Sequence, residues 1–71
     1  MNQQDQQLRI SIIGFGDFGQ LITRHLAPLS KVTVYDRTQH RTDQIKQLGA
    51  QPVTIEDAAR ADVVILAVTL D

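Results

Sequence analysis

The fold of this chain is decided by residues 10–20, which read ISIIGFGDFGQ. An apolar run containing three isoleucines stops at Gly14, and a helical repeat begins immediately after the glycines. The members of this repeat fall on or near one helix face and are Phe18, Leu21, Ile22, His25, Leu26 and Leu29. The stretch therefore predicts a buried strand, a glycine turn and an amphipathic helix, in that order.

The three glycines have the spacing G-x-G-x-x-G, and each has its own physical reason. Gly14 lets the chain turn sharply off the strand, where we expect a need for positive φ. Gly16 lets a pyrophosphate approach the backbone, and Gly19 lets the helix pack close to the strand. The N–H groups and dipole of the helix start favour a phosphate there, so we expect the carboxylate of Asp17 to face solvent. A glycine turn without a ligand is the alternative, but the strand–helix context favours a dinucleotide site.

An acidic residue ends the second predicted strand, residues 31–36 (KVTVYD). Asp36 follows Gly19 by 17 residues, the position where a carboxylate accepts hydrogen bonds from the adenosine ribose hydroxyls. An ordinary solvated aspartate in a turn is the alternative. Arg37, which comes next, is able to bind a 2′-phosphate or stack on adenine. We expect NAD as the cofactor, with NADP as the alternative, because the carboxylate would repel the phosphate at contact distance.

The remaining segments complete an alternating pattern of strands and helices. The predicted strands are 8–13, 31–36, 51–53 and 63–68, and the predicted helices are 17–27, 38–48 and 54–59. Thr38 and Gly49 are expected to cap the second helix, and Thr54 with Asp57 resembles a capping box. The βαβαβαβ pattern predicts an α/β fold of Rossmann type, with a parallel sheet in the order 3-2-1-4. Residues 1–7 are expected to be a flexible tail, and residues 8–71 the N-terminal part of a dinucleotide-binding domain.

Composition limits the classes of function. The chain has 71 residues, a formal charge of −1 and no cysteine. This balance gives no electrostatic reason to expect nucleic acid or a membrane as a partner, and no disulfide is available. We expect one cytoplasmic domain without a metal site, in which His25 and His40 are structural or solvated.

The fourth predicted strand, residues 63–68 (VVILAV), is continuously apolar although it ends the pattern. An unpaired apolar edge is a template for association with another strand. We therefore expect self-association along this edge.

Three segments together resemble the cofactor domain of prephenate and arogenate dehydrogenases. They are residues 8–20 (LRISIIGFGDFGQ), 34–38 (VYDRT) and 55–68 (IEDAARADVVILAV). The last segment is also similar to 6-phosphogluconate dehydrogenase and to β-hydroxyacid dehydrogenases. The resemblance implies a role in tyrosine biosynthesis as the NAD(P)-binding portion of a larger oxidoreductase.

The resemblance also implies which residues contact the cofactor. The glycine loop contributes Gly14, Phe15, Gly16, Asp17, Phe18 and Gly19; the second strand end contributes Asp36 and Arg37; the fourth strand end contributes Ala67, Val68 and Thr69. Family members often have proline where this chain has Thr69. The family's catalytic residues, including a histidine that polarises the substrate hydroxyl, come after the fourth strand, so we assign no catalytic residue.

A nucleotide-sensing regulatory domain of a potassium channel or transporter is the competing class, since GFGDFGQ resembles its glycine loop as well. Such domains usually carry a Gly-Asp pair after the third strand. Here residues 53–56 read VTIE. The segment ending in ARADVVILAV is dehydrogenase-like, and together these features favour the dehydrogenase.

Overall fold

The computed structural model describes residues 7–37 and 41–68. In chain order the strands and helices are β1 (Arg9–Ile13), α1 (Asp17–Leu26), β2 (Lys31–Tyr35), α2 (Thr42–Gln47), β3 (Gln51–Pro52), α3 (Ile55–Ala58) and β4 (Val63–Leu66). The predicted alternation of strands and helices is therefore present in full.

All strand pairs are parallel, and the sheet order is β3-β2-β1-β4. Ile12 of β1 lies between Val34 of β2 and Ile65 of β4. The α/β fold of Rossmann type and the predicted order 3-2-1-4 are confirmed. Pro52 belongs to the edge strand β3, which has a neighbouring strand on one side only. A proline is tolerated there, because an N–H on the unpaired side would have no strand to donate to.

The main core lies between the sheet and the helices α1 and α2. Its buried members are Ile12, Phe15, Val32, Val34, Ile45, Ala50 and Ala67, with Ile22, Leu26, Ala27, Leu48 and Ile65 packed around them. Gly49 ends α2 with a φ of 88°, and the N–H groups of Gly49 and Ala50 donate to the carbonyls of Lys46 and Ile45. This glycine-dependent cap confirms the expected end of the second helix.

The apolar face predicted for the first helix is only partly correct. Gly19 and Thr23 are buried, and Ile22 and Leu26 pack against the core. Phe18 is 60% exposed, and Leu21 and Leu29 are exposed as well. The small residues Gly19 and Thr23 mark the true contact line, because they let the helix axis come close to the sheet, and the larger apolar residues to one side of that line stay in solvent.

The opposite face of the sheet is more polar and is contacted by the short helix α3. Ser11 is fully buried there, and its hydroxyl is hydrogen-bonded to that of Thr33 at 2.8 Å. Thr54 caps α3 by accepting the N–H of Asp57, as the sequence predicts. Asp62 accepts the N–H of Arg9 at 3.0 Å and so ties the turn before β4 to the start of β1.

Several expectations fall on residues 1–6, 38–40 and 69–71, which lie outside the described residues. They are most of the predicted tail, the cap at Thr38, the role of His40 and the contact at Thr69. The described strands β3 and β4 are shorter than predicted by one and two residues at their C-terminal ends. In the described part of the chain, no helix is long and apolar enough to cross a membrane.

The two phenylalanines should differ sharply in their effect on stability. Phe15 is 1% exposed, so Phe15→Ala should lower the free energy of unfolding by about 3–5 kcal/mol. Phe18→Ala is the matched control, because the ring at position 18 is mainly in solvent. Urea unfolding followed by circular dichroism measures both changes. An equal loss in the two variants would contradict the described packing.

Candidate functional site

The glycine turn is fixed to both neighbouring strands at the carboxyl edge of the sheet. The N–H of Gly14 donates to the carbonyl of Tyr35 at 2.8 Å, and the N–H of Ala67 donates to the carbonyl of Ile13 at 2.8 Å. The turn therefore lies where strand order reverses between β1 and β4, the usual ligand site of open α/β sheets.

Two of the glycines are required by the chain's own packing. Gly14 has a φ of 106°, and a Cβ there would lie 2.8 Å from the carbonyl oxygen of Ala67. A Cβ on Gly19 would collide with the carbonyl of Gly14. The helix start is thus pressed against the turn at the end of β1, which places the close contact expected of Gly19 at the turn rather than along the strand.

Gly16 is different, because nothing in the described structure requires a glycine there. Its φ is −75°, a value that any residue adopts. A Cβ at this position would meet no heavy atom within 4 Å. The absent side chain therefore keeps a space open in front of the turn.

The carbonyl of Phe15 is held by two side-chain donors. Nε2 of Gln20 donates to it at 3.2 Å, and Nη1 of Arg41 donates to it as well. The ring of Phe15 is in the core, so both the side chain and the carbonyl group of this residue are held in place. The conformation of the loop is therefore set before any ligand arrives.

The start of α1 has no side-chain cap, since Gly16 occupies the N-cap position. The first N–H groups of an uncapped helix, together with its dipole, are suited to an anion. Asp17 is exposed, as the sequence predicts, so its carboxylate is turned to solvent.

Asp36 is the most confined charged group near the turn. Its side chain is 12% exposed, and its Oδ2 atom is buried without a hydrogen-bond partner among the described residues. Nε of Arg41 lies 3.9 Å from that oxygen. A buried carboxylate oxygen normally has a hydrogen-bond donor, so this atom is free to accept one from a ligand.

A cleft of about 550 Å³ brings most of the predicted contact residues together. Its walls include Gly14, Phe15, Gly16, Asp36, Arg37, Ala67 and Val68, with Ile13 and Tyr35. Asp17, Phe18 and Gly19 do not line it, because the first two project into solvent and the third is buried under the turn. Thr69 lies outside the described residues.

A second cavity of about 600 Å³ shares Tyr35 and Asp36 with the cleft. It extends from the end of β2 over β3 to the start of α3, where Val53 and Ile55 form part of its wall. Asp36 therefore lies at the boundary between two adjoining spaces.

Comparison with known proteins identifies the family. The model of the family described as NADP oxidoreductase, coenzyme F420-dependent, matches residues 9–71. The chain belongs to this family. Among curated proteins, none matches the sequence.

Two solved structures are similar to this family member. The PH0520 protein from Pyrococcus horikoshii OT3 is 30% identical with a TM-score of 0.78, over 92% of this chain and 20% of that one. A phosphoglycerate oxidoreductase from Rhizobium etli is 26% identical with a TM-score of 0.73, over 84% of this chain and 19% of that one. The chain thus spans about one fifth of the length of either structure.

The described residues fit the nicotinamide dinucleotide, NAD(P), that this family of oxidoreductases uses. The space kept open by Gly16 is where a bulky anion would approach the backbone. The orphaned Oδ2 of Asp36 is an acceptor without a donor, and ribose hydroxyls are donors. A bound dinucleotide would account for both features, the open space at Gly16 and the unpaired oxygen of Asp36.

Sequence reasoning missed Arg41 as part of this site. The residue precedes α2 at its N-cap, and its guanidinium reaches back across the sheet edge to the carbonyl of Phe15. A cation at a helix N-terminus is disfavoured by the helix dipole, and that mismatch is the signal that was available. His25, in contrast, is hydrogen-bonded to the carbonyl of Leu21 in its own helix, in keeping with a structural role.

The glycines should separate fold from site when each is replaced by alanine. Gly14→Ala and Gly19→Ala should each lower the free energy of unfolding by about 2 kcal/mol or more, because of strain and collision. Gly16→Ala should change it by less than about 1 kcal/mol, since its backbone suits alanine. Thermal unfolding of the three variants measures this, and a large loss in Gly16→Ala would contradict the open space described.

Proposed function

We propose that this chain is the NAD(P)-binding portion of a dehydrogenase, with the pyrophosphate at the glycine turn and the adenosine ribose at Asp36. The observation that carries the proposal is the contrast among the glycines. Packing accounts for Gly14 and Gly19, whereas Gly16 is open and unstrained. A pyrophosphate at the start of α1 accounts for the glycine at position 16.

The chain's own residues would bind and orient the cofactor. The uncapped N–H groups of α1 would hold the phosphates, and Oδ2 of Asp36 would accept a ribose hydroxyl. Adenine would occupy the second cavity, beside Val53 and Ile55. The nicotinamide would extend along the cleft toward Ala67 and Val68, where the cofactor supplies the carbon that accepts or donates hydride.

The substrate class is proposed from the sequence resemblance. Residues 8–20, 34–38 and 55–68 support a prephenate or arogenate dehydrogenase-like enzyme of tyrosine biosynthesis. The descriptions that name an activity, those of the family and of the Rhizobium etli protein, both name an oxidoreductase. They favour a dehydrogenase over the nucleotide-sensing domain. An assay of NAD(P) reduction tests this choice, run on the dehydrogenase of which we propose this chain to be a portion. Reduction with prephenate or arogenate is expected, and reduction only with other hydroxy acids would overturn the proposed substrate class.

Titration calorimetry with NAD and NADP tests the cofactor site. The chain should bind at least one of them, and Gly16→Val should abolish the binding, because its side chain would fill the space of the phosphate. The fold should survive, as the position has room for a side chain. Leu21→Val is the matched control, because Leu21 is exposed and lies beyond the first turn of the same helix. Unchanged affinity in Gly16→Val would refute the assigned role.

Self-association along β4 is also proposed. β4 is an edge strand of the described sheet, and its exposed apolar residues include Val63, Val64 and Leu66, the last 69% exposed. A second copy that pairs with this edge would satisfy its free backbone groups and cover these side chains.

The charge-bearing change Leu66→Lys should prevent such association, because an edge lysine opposes strand pairing. Leu29→Lys is the matched control, since this leucine is 75% exposed and precedes β2, a strand that does not pair with β4. Light scattering over a range of concentrations should show dimers or larger species for the unaltered chain and for the control. A monomer throughout for the unaltered chain would contradict the proposal.

A further inference from the structure

Arg41 contacts two parts of the proposed cofactor site at once. Its Nη1 donates to the carbonyl of Phe15 in the glycine turn, and its Nε lies 3.9 Å from Oδ2 of Asp36. We infer that Arg41 is the counter-ion of Asp36 and that it cancels the discrimination against a 2′-phosphate that this carboxylate would impose alone. The inference rests on the proposed function, since it concerns the ribose end of that site.

The position of Arg41 favours a counter-ion over a ligand of the phosphate. Asp36 lines both the cleft and the second cavity, whereas Arg41 is not among the residues that line either of them. The Arg41 side chain is 37% exposed, and its Nη1 already donates to the Phe15 carbonyl. Arg41 therefore acts on the cofactor through Asp36, as a positioning and charge-balancing residue.

The positive charge of Arg41 reduces the electrostatic repulsion between Asp36 and a 2′-phosphate. A lone carboxylate with little exposure repels a phosphate group strongly, because both are negative and the surroundings screen weakly. A guanidinium at 3.9 Å turns the carboxylate into half of an ion pair, whose field falls off much faster than that of a single charge. Arg37, exposed and lining the cleft, adds a further positive charge. The repulsion expected from Asp36 is therefore largely removed.

The same pair still serves a cofactor that lacks the phosphate. The contact between Nε and Oδ2 is too long for a hydrogen bond, and no other described residue is hydrogen-bonded to Oδ2. A ribose hydroxyl is able to donate to it. On this inference the ribose end accepts both NAD and NADP, whereas the sequence alone leads us to expect NAD with NADP as the alternative.

A double-mutant cycle separates the counter-ion role from others. Kd values for NAD and NADP are measured by calorimetry on the unaltered chain, Arg41→Gln, Asp36→Asn and the double variant. The unaltered chain should bind the two cofactors within about tenfold of each other, and Arg41→Gln should weaken NADP relative to NAD by about tenfold or more. Adding Asp36→Asn should return the ratio to within about threefold of the unaltered value, because no carboxylate is left to repel the phosphate.

Two further variants control for charge and fold. Arg24→Gln removes the same charge from the exposed last turn of α1 and should leave the ratio unchanged. Arg41→Lys keeps the charge and should keep the ratio. Thermal unfolding of each variant shows that it is folded before its Kd values are compared.

Other outcomes overturn the inference in distinguishable ways. Equal weakening of NAD and NADP in Arg41→Gln would reduce Arg41 to a structural clamp on the loop. A loss of NADP binding that persists in the double variant would make Arg41 a direct phosphate ligand. Either result would leave the proposed function intact. Failure of the unaltered chain to bind either cofactor would overturn the proposed function and this inference with it.

Discussion

The close approach of the first helix to the end of the first strand is the constraint on which the structure depends. No side chain fits at Gly19, because the carbonyl of Gly14 occupies that space, and none fits at Gly14, because Ala67 and Val68 do. One compact contact therefore joins β1, α1 and the segment after β4. The cleft lies directly over this contact, so the geometry of the site follows from the packing of the fold.

At this edge of the sheet, hydrogen bonds hold the backbone on one side of Gly16, and the space at Gly16 itself is open. The carbonyl of Phe15 is held by Gln20 and Arg41, and the N–H of Gly14 is held by Tyr35. Gly16, next to these anchors, is open. A loop that is held in place beforehand loses little conformational entropy when a ligand binds, which favours affinity. Neighbouring residues of one short turn thus supply both the fixed backbone and the open space for a ligand.

Most of the fold could be predicted because local signals and topology agree. The strand residues are β-branched, the glycine spacing marks the turn, and right-handed crossovers leave few sheet orders. The buried face of α1 could not be predicted well from apolar periodicity. Gly19 and Thr23 face the sheet through their small size, whereas the larger Phe18 and Leu21 stay in solvent. Hydrophobicity alone does not report how close two elements approach.

The meeting of residues in one cleft was predictable where they belong to a motif of fixed spacing and was missed where they do not. Gly14, Gly16 and Asp36 follow from a motif with fixed spacing, and the structure brings them to one cleft. Arg41 reaches Phe15 from 26 positions away along the chain, and no spacing rule predicts that contact. Its position 3.9 Å from Oδ2 of Asp36 is a property of the three-dimensional arrangement. The influence on cofactor preference that we propose for Arg41 therefore could not be deduced from the acidic residue alone.

Residue-resolved NMR during titration with NAD or NADP tests the central claim most directly, namely that the cofactor lies over the glycine turn. The account predicts that backbone amide shifts concentrate at Gly14, Gly16 and Asp36 as cofactor is added. Amides at the opposite edge of the sheet, such as those of Lys31 and Asp62 at the amino ends of the strands, should change little. Shifts centred on that opposite edge, or no saturable shifts at all, would contradict the account.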